Sequence, residues 1–148
     1  MFLTERGGLE SGFMMAQYTA AALASENKVL VHPASADSIP SSANTEDHVS
    51  MGATAVRQAA TIMGHVEQTI AIEMMAAAQG IDFRRQNGEQ MGQGTRIAHR
   101  MIREVVPYLP GDDVLAPHMT ALCDLVVSAK VKLAVEAAVG DGGPQAND

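Results

Sequence analysis

A chain of 148 residues with ten Lys and Arg against seventeen Asp and Glu carries a net charge of −7, which argues against a nucleic-acid partner, since that calls for a basic stripe. Charged residues make up 18% and hydrophobic ones 47%, against about 25% charged in a usual domain. With so little charge to cover a free-standing globule, part of the outside is expected to be buried against other chains.

The lone Cys123 cannot form an internal disulfide and fits a reducing, cytoplasmic setting. The opening MFLTERGGLE has neither the basic nor the apolar region of a secretory signal. From Ser11 to Val31, SGFMMAQYTAAALASENKVLV predicts a helix capped by Ser11. No charge occurs from Ser11 through Ser25, so this helix is apolar nearly all round and is expected to be buried. The run falls short of the roughly 20 apolar residues a bilayer span requires, which makes it a core helix and not a membrane segment.

Residues His32 to Ser50, with Pro33, Pro40 and many serines, should be irregular. Because they join two apolar segments, they are expected to form an ordered loop. A second long helix is predicted from about Met51 to Gln79, with Gly80 as its C-terminal stop. Val56, Ala60, Met63, Val66, Ile70, Met74, Ala77 and Ile81 recur at spacings of three and four along it and read as a core stripe.

Arg84 to Gly94 reads as a surface loop. Thr95 should cap a shorter amphipathic helix, with Ile97, Met101, Ile102 and Val105 inward and Arg96, Arg100 and Arg103 outward. Five of the ten cations fall between Arg84 and Arg103 without an interleaved aromatic residue, which suits a solvated face. Pro107 and the PGDD turn end that helix, and a last one runs from about Asp113 to Val139. Residues 140–148, GDGGPQAND, should be a frayed tail. No strand alternates convincingly and no repeat is visible. The predicted fold is all-α: a single segment of long buried helices forming part of a helical bundle.

Between the first two helices, Ser41 to Gly52 (SSANTEDHVSMG) concentrates ionisable groups at Glu46, Asp47 and His48. A metal site would draw on His32 and Asp37, but consecutive residues rarely converge on one ion and no H-x-x-x-H or C-x-x-C spacing occurs, so no metal is expected. Two readings stay open. One is a helix N-terminus, with Asn44 or Asp47 as cap and acids near the first turn, worth about 0.3–1 kcal/mol. The other is an active-site carboxylate at the start of a buried rod, where desolvation raises the value of its charge.

The stretch GLESGFMMAQYTAAALASENKVLVHPASADSIPSSANTEDHVSMG, from Gly8 to Gly52, closely resembles the C-terminal part of the histidine ammonia-lyases. These belong to the aromatic amino acid lyases, which use a methylidene-imidazolone electrophile. The resemblance continues more weakly through AIEMMAAAQGIDFR and covers nearly the whole chain. It implies removal of ammonia from L-histidine to give urocanate. It also implies that Glu46, at the position of the family's pocket glutamate, is the catalytic and substrate-binding carboxylate facing the imidazole. Relatives acting on phenylalanine carry an amide there. Asn44, Asp47 and His48 would order the loop and contact other subunits of a homotetramer.

Thr45 stands where the family usually has glutamine. The electrophile forms from Ala-Ser-Gly, and this chain offers only Ala24-Ser25-Glu26, Ala34-Ser35-Ala36 and Glu10-Ser11-Gly12. The resemblance therefore implies roughly the last third of a lyase, with no cofactor of its own. The isolated chain should be inactive, and an N-terminal lyase chain would have to bring the methylidene-imidazolone. The alternative is a catalytically inert remnant that acts only as a helical association module.

Overall fold

A computed structural model describes residues 2–36, 38–85 and 90–140. Five helices run in chain order: α1 (Met14–Leu30), α2 (Gly52–Arg85), α3 (Gln93–Val105), α4 (Leu115–Val127) and α5 (Lys130–Gly140). Two very short strands, β1 (Pro40–Ser41) and β2 (Glu46–Asp47), lie in the loop between α1 and α2. The all-α class expected from the sequence holds. The expected tail lies, from residue 141 on, outside the described residues, as do Asp37 and residues 86–89 of the expected surface loop.

α2 is the spine. Its 34 residues span about 51 Å at 1.5 Å per residue. α1 and α4 pack against it, and α3 packs against α5. Gly80 does not stop this helix, which continues for another turn to Arg85. A Cβ at Gly80 would touch only Leu3 Cδ2, at 3.7 Å, so the glycine sits in ordinary helical backbone.

The core is formed by Ala71, Ile72, Met75 and Ala78 of α2, Phe13 and Ala16 at the start of α1, Leu122 of α4, and Ile102, Val106 and Leu109. This face is rotated from the predicted stripe. Val56 and Met63 of that stripe are 68% and 58% exposed. α1 likewise buries only Ala16 within the chain, although it was expected to be buried throughout. Among the described residues, seventeen large hydrophobics are exposed while ten hydrophobics are buried. Exposed large hydrophobics thus outnumber the fully buried hydrophobic residues, and exposed apolar surface of that kind marks interaction faces.

Caps differ from the sequence expectation because tertiary contacts replace local ones. Ser11 does not cap α1, whose cap position is Phe13. Instead Asp112, from the loop before α4, accepts the Ser11 and Gly12 amides at 3.2 and 2.6 Å. Gly12 has φ +52, and a Cβ there would collide with the Phe2 carbonyl oxygen, so only glycine fits. α3 starts at Gln93, not Thr95, and no side chain caps it. The predicted last helix is broken into α4 and α5 at Ala129, whose φ of 53° is left-handed.

Arg103, expected to point outward, turns inward. Its Nε donates to Asp82 Oδ2 at 2.8 Å, and its Nη atoms donate to the Val106 and Pro107 carbonyls and to Gln79 Oε1. His99 Nε2 meets Asp82 Oδ1 at 2.8 Å. The fully buried Gln79 donates to the carbonyls of Leu109 (2.6 Å) and Leu3 (3.3 Å) and accepts the Leu109 amide. This network ties α2 to α3 and to the segment after it. A buried polar group without a partner is costly, and none of the described buried side-chain polar atoms lacks one. No described helix is long and apolar enough to cross a membrane.

Candidate functional site

The Ser41–Gly52 loop is folded, not slack. β1 and β2 pair antiparallel, with Pro40 opposite Asp47 and Ser41 opposite Glu46. Between them Ser42, Ala43 and Asn44 make a tight turn with φ of 49°, 53° and 68°. Left-handed backbone costs an L-residue roughly 1–2 kcal/mol, and of these three only Asn tolerates it readily. Local hydrogen bonds hold the turn against that cost. The Ser42 carbonyl accepts both the Thr45 amide, at 3.1 Å, and the Thr45 hydroxyl. Below the ribbon the His48 amide donates to the Ile39 carbonyl at 2.8 Å, and the Ser38 hydroxyl donates to the His48 carbonyl at 3.1 Å.

The turn determines how Glu46 is presented. Ser42 Oγ donates to Glu46 Oε2 at 3.1 Å. That contact holds one carboxylate oxygen, and no described residue hydrogen-bonds to the other, Oε1. Ser42 went unnoticed in the sequence because a serine in a serine-rich loop carries no distinguishing pattern. Replacing Ala43 with glycine should relieve strain without touching Glu46. The expected gain is roughly 0.5–1 kcal/mol, after the extra entropy glycine brings to the unfolded chain, read as a rise in the urea midpoint.

The capping reading fails. Neither Asn44 nor Asp47 caps α2; the residue before it is Met51, with φ 55°, whose carbonyl accepts the Thr54 and Ala55 amides. Glu46 lies on β2, ahead of the helix, and not at its head. Asn44, Glu46, Asp47 and His48 are all exposed within this chain, so any desolvation of Glu46 must come from other polypeptide. None of the four side chains forms an ion pair with a described residue. His32 is exposed, and no group of three described His, Cys, Asp or Glu residues could hold a metal ion.

Perturbed ionisable groups lie elsewhere. The Thr4 hydroxyl, with Arg6, holds the Glu10 carboxyl below its usual value despite some desolvation. His118 and the Val114 amide do the same for Asp113. Burial, with Glu67 and Asp124, pushes the Cys123 thiol up, which makes it a poor nucleophile.

Residues 1–104 match the aromatic amino acid lyase family. The chain belongs to that family. Over 143 residues this lyase chain is 57% identical to the histidine ammonia-lyase of Chloroflexus aurantiacus, covering 95% of itself and 27% of that protein. It is 54% identical over 139 residues to the histidine ammonia-lyase of Symbiobacterium thermophilum, covering 94% of itself and 27% of that protein. In structure it resembles the histidine ammonia-lyase of Trypanosoma cruzi with a TM-score of 0.86 and 44% identity, over 93% of this chain and 27% of that one. A tyrosine aminomutase of Streptomyces globisporus gives a TM-score of 0.80 at 33% identity, over 91% of this chain and 25% of that one. The lyase chain thus spans about 27% of the length of the curated relatives it matches.

Proposed function

We propose that this chain supplies the imidazole-facing loop of a histidine ammonia-lyase, acting on L-histidine in the cytoplasm, and that an N-terminal chain supplies the electrophile. The observation that carries the proposal is the Glu46 carboxylate, braced at one oxygen by Ser42 and hydrogen-bonded by no described residue at the other. An ionised carboxylate accepts a hydrogen bond from an imidazole N–H and favours the cationic ring. Its task is to seat and orient the substrate while the reacting carbons are handled elsewhere.

In relatives the methylidene-imidazolone provides an electrophilic carbon. No residue here can form it, because the chain contains no Ala-Ser-Gly, and no step through it is assigned to these residues. Asn44, Asp47 and His48 order the ribbon and meet neighbouring subunits. The Thr45 hydroxyl is committed to the Ser42 carbonyl, so the side chain at that position braces the turn and does not reach a ligand. The exposed apolar faces of α1 and α2 form the contact with the N-terminal chain and with further copies.

The short span relative to the curated relatives also favours a second reading, an inert association module. Co-expression with an N-terminal lyase chain bearing Ala-Ser-Gly separates the two. The pair is expected to form urocanate, followed by its ultraviolet absorbance, while the 148-residue chain alone forms none. A pair that associates without turning over histidine makes this chain the inert module.

A further inference from the structure

Half of the chain's cations lie between Arg84 and Arg103, and the fold gathers several of them around one concavity. The end of α2 and the outer side of α3 enclose an open cavity of about 440 Å³, with Arg85 on one wall and Arg96 and Arg100 on the other. His99 and Arg103 also line it, both already tied to Asp82. Arg85, Arg96 and Arg100 form no hydrogen bond or ion pair with any described residue. Glu104 is the one carboxylate among the lining residues, and it pairs with none of them.

This arrangement is unfavourable as it stands. Like charges four apart on a helix, as at Arg96 and Arg100, repel. Arg96 sits in the first turn of α3, which has no acidic residue there and no side-chain cap. A cation at that end opposes the helix dipole. Three guanidinium groups without a partner among the described residues, beside a helix start that no side chain caps, are what an anion would compensate. We infer that this cavity binds a small multivalent oxyanion, phosphate or a polycarboxylate, held by Arg85, Arg96 and Arg100. Guanidinium forks match the paired oxygens of either group, and the volume falls in the range of small-molecule pockets. The lining residues include no Phe, Tyr or Trp on which a nucleobase could stack, and the one ring present, His99, is buried and held by Asp82. The site lies on α3, away from the Glu46 ribbon, and does not depend on the lyase reading.

The test titrates inorganic phosphate, and in a separate arm citrate, into the 148-residue chain and into its assembly with an N-terminal lyase chain. Sodium chloride at matched ionic strength is the control. Calorimetry reads binding, and circular dichroism checks that helicity is kept. Saturable binding of one or both anions is expected, weakened about tenfold or more by Arg96→Gln with Arg100→Gln and unaffected by Lys132→Gln on α5. The citrate arm tells a carboxylate ligand from a phosphate. A response equal to that of chloride overturns the inference, as does binding indifferent to the Arg96 and Arg100 changes. Binding of poly-glutamate alone also overturns it, since the surface would then dock a polypeptide.

Discussion

In an assembled lyase, Glu46→Gln is expected to lower kcat/KM for L-histidine by about 10- to 100-fold. A hydrogen bond to a charged group contributes about 1.5–3 kcal/mol, and each 1.4 kcal/mol is a factor of ten. Glutamine keeps the shape and can still accept one hydrogen bond, but it loses the charge that favours a cationic imidazole. Because the Glu46 side chain is exposed in this chain and, among the described residues, is hydrogen-bonded by Ser42 alone, the change should leave folding within about 0.5 kcal/mol. Initial rates of urocanate formation, set beside an unchanged melting curve, isolate the effect on substrate. Unchanged histidine kinetics would remove Glu46 from the pocket.

The largest expected loss of stability lies away from the loop. Asp82→Ala strips both His99 and Arg103 of their anion. Removing one partner of a buried pair costs about 3–5 kcal/mol. Asp82 and Arg103 keep 18% and 15% of their side-chain exposure, which lowers the expectation to about 2–3 kcal/mol. Gln79→Ala leaves the Leu109 amide and the Leu109 and Leu3 carbonyls without their partner, at a similar cost. Since Arg103 bridges the two sites, the double mutant should fall short of the sum of the singles. Urea denaturation checks this: the midpoint falls while the slope is kept.

What could be read from the sequence, and what could not, follows from the range of the interactions. Helix identity was legible because apolar spacing and the proline-rich break are local. The length of α2 was misjudged because glycine is a stop only where the backbone turns left-handed, and at Gly80 it does not. The break at Ala129 had no glycine or proline to announce it. Arg103 looked solvated because its partners, Asp82 and Gln79, are 21 and 24 residues distant, beyond any helical period. The cluster of Glu46, Asp47 and His48 stood out by composition, and Glu46 was singled out within it only through resemblance. Its bracing by Ser42 comes with three consecutive left-handed residues, of which only Asn44 has a propensity for that conformation. The stripe on α2 was periodic as read, yet from Val56 to Ile70 it faces outward within this chain while Met74 packs against the core, because periodicity finds a face and does not say what covers it.

In the proposed assembly another polypeptide encloses the Glu46 carboxylate around a bound imidazole. A crystal structure of this chain assembled with an N-terminal lyase chain, with L-histidine bound, measures that directly. The expected result is a Glu46 carboxylate oxygen at about 2.7–2.9 Å from an imidazole nitrogen, in a cavity closed by the second chain. A histidine bound elsewhere, with Glu46 still turned to solvent, would contradict it.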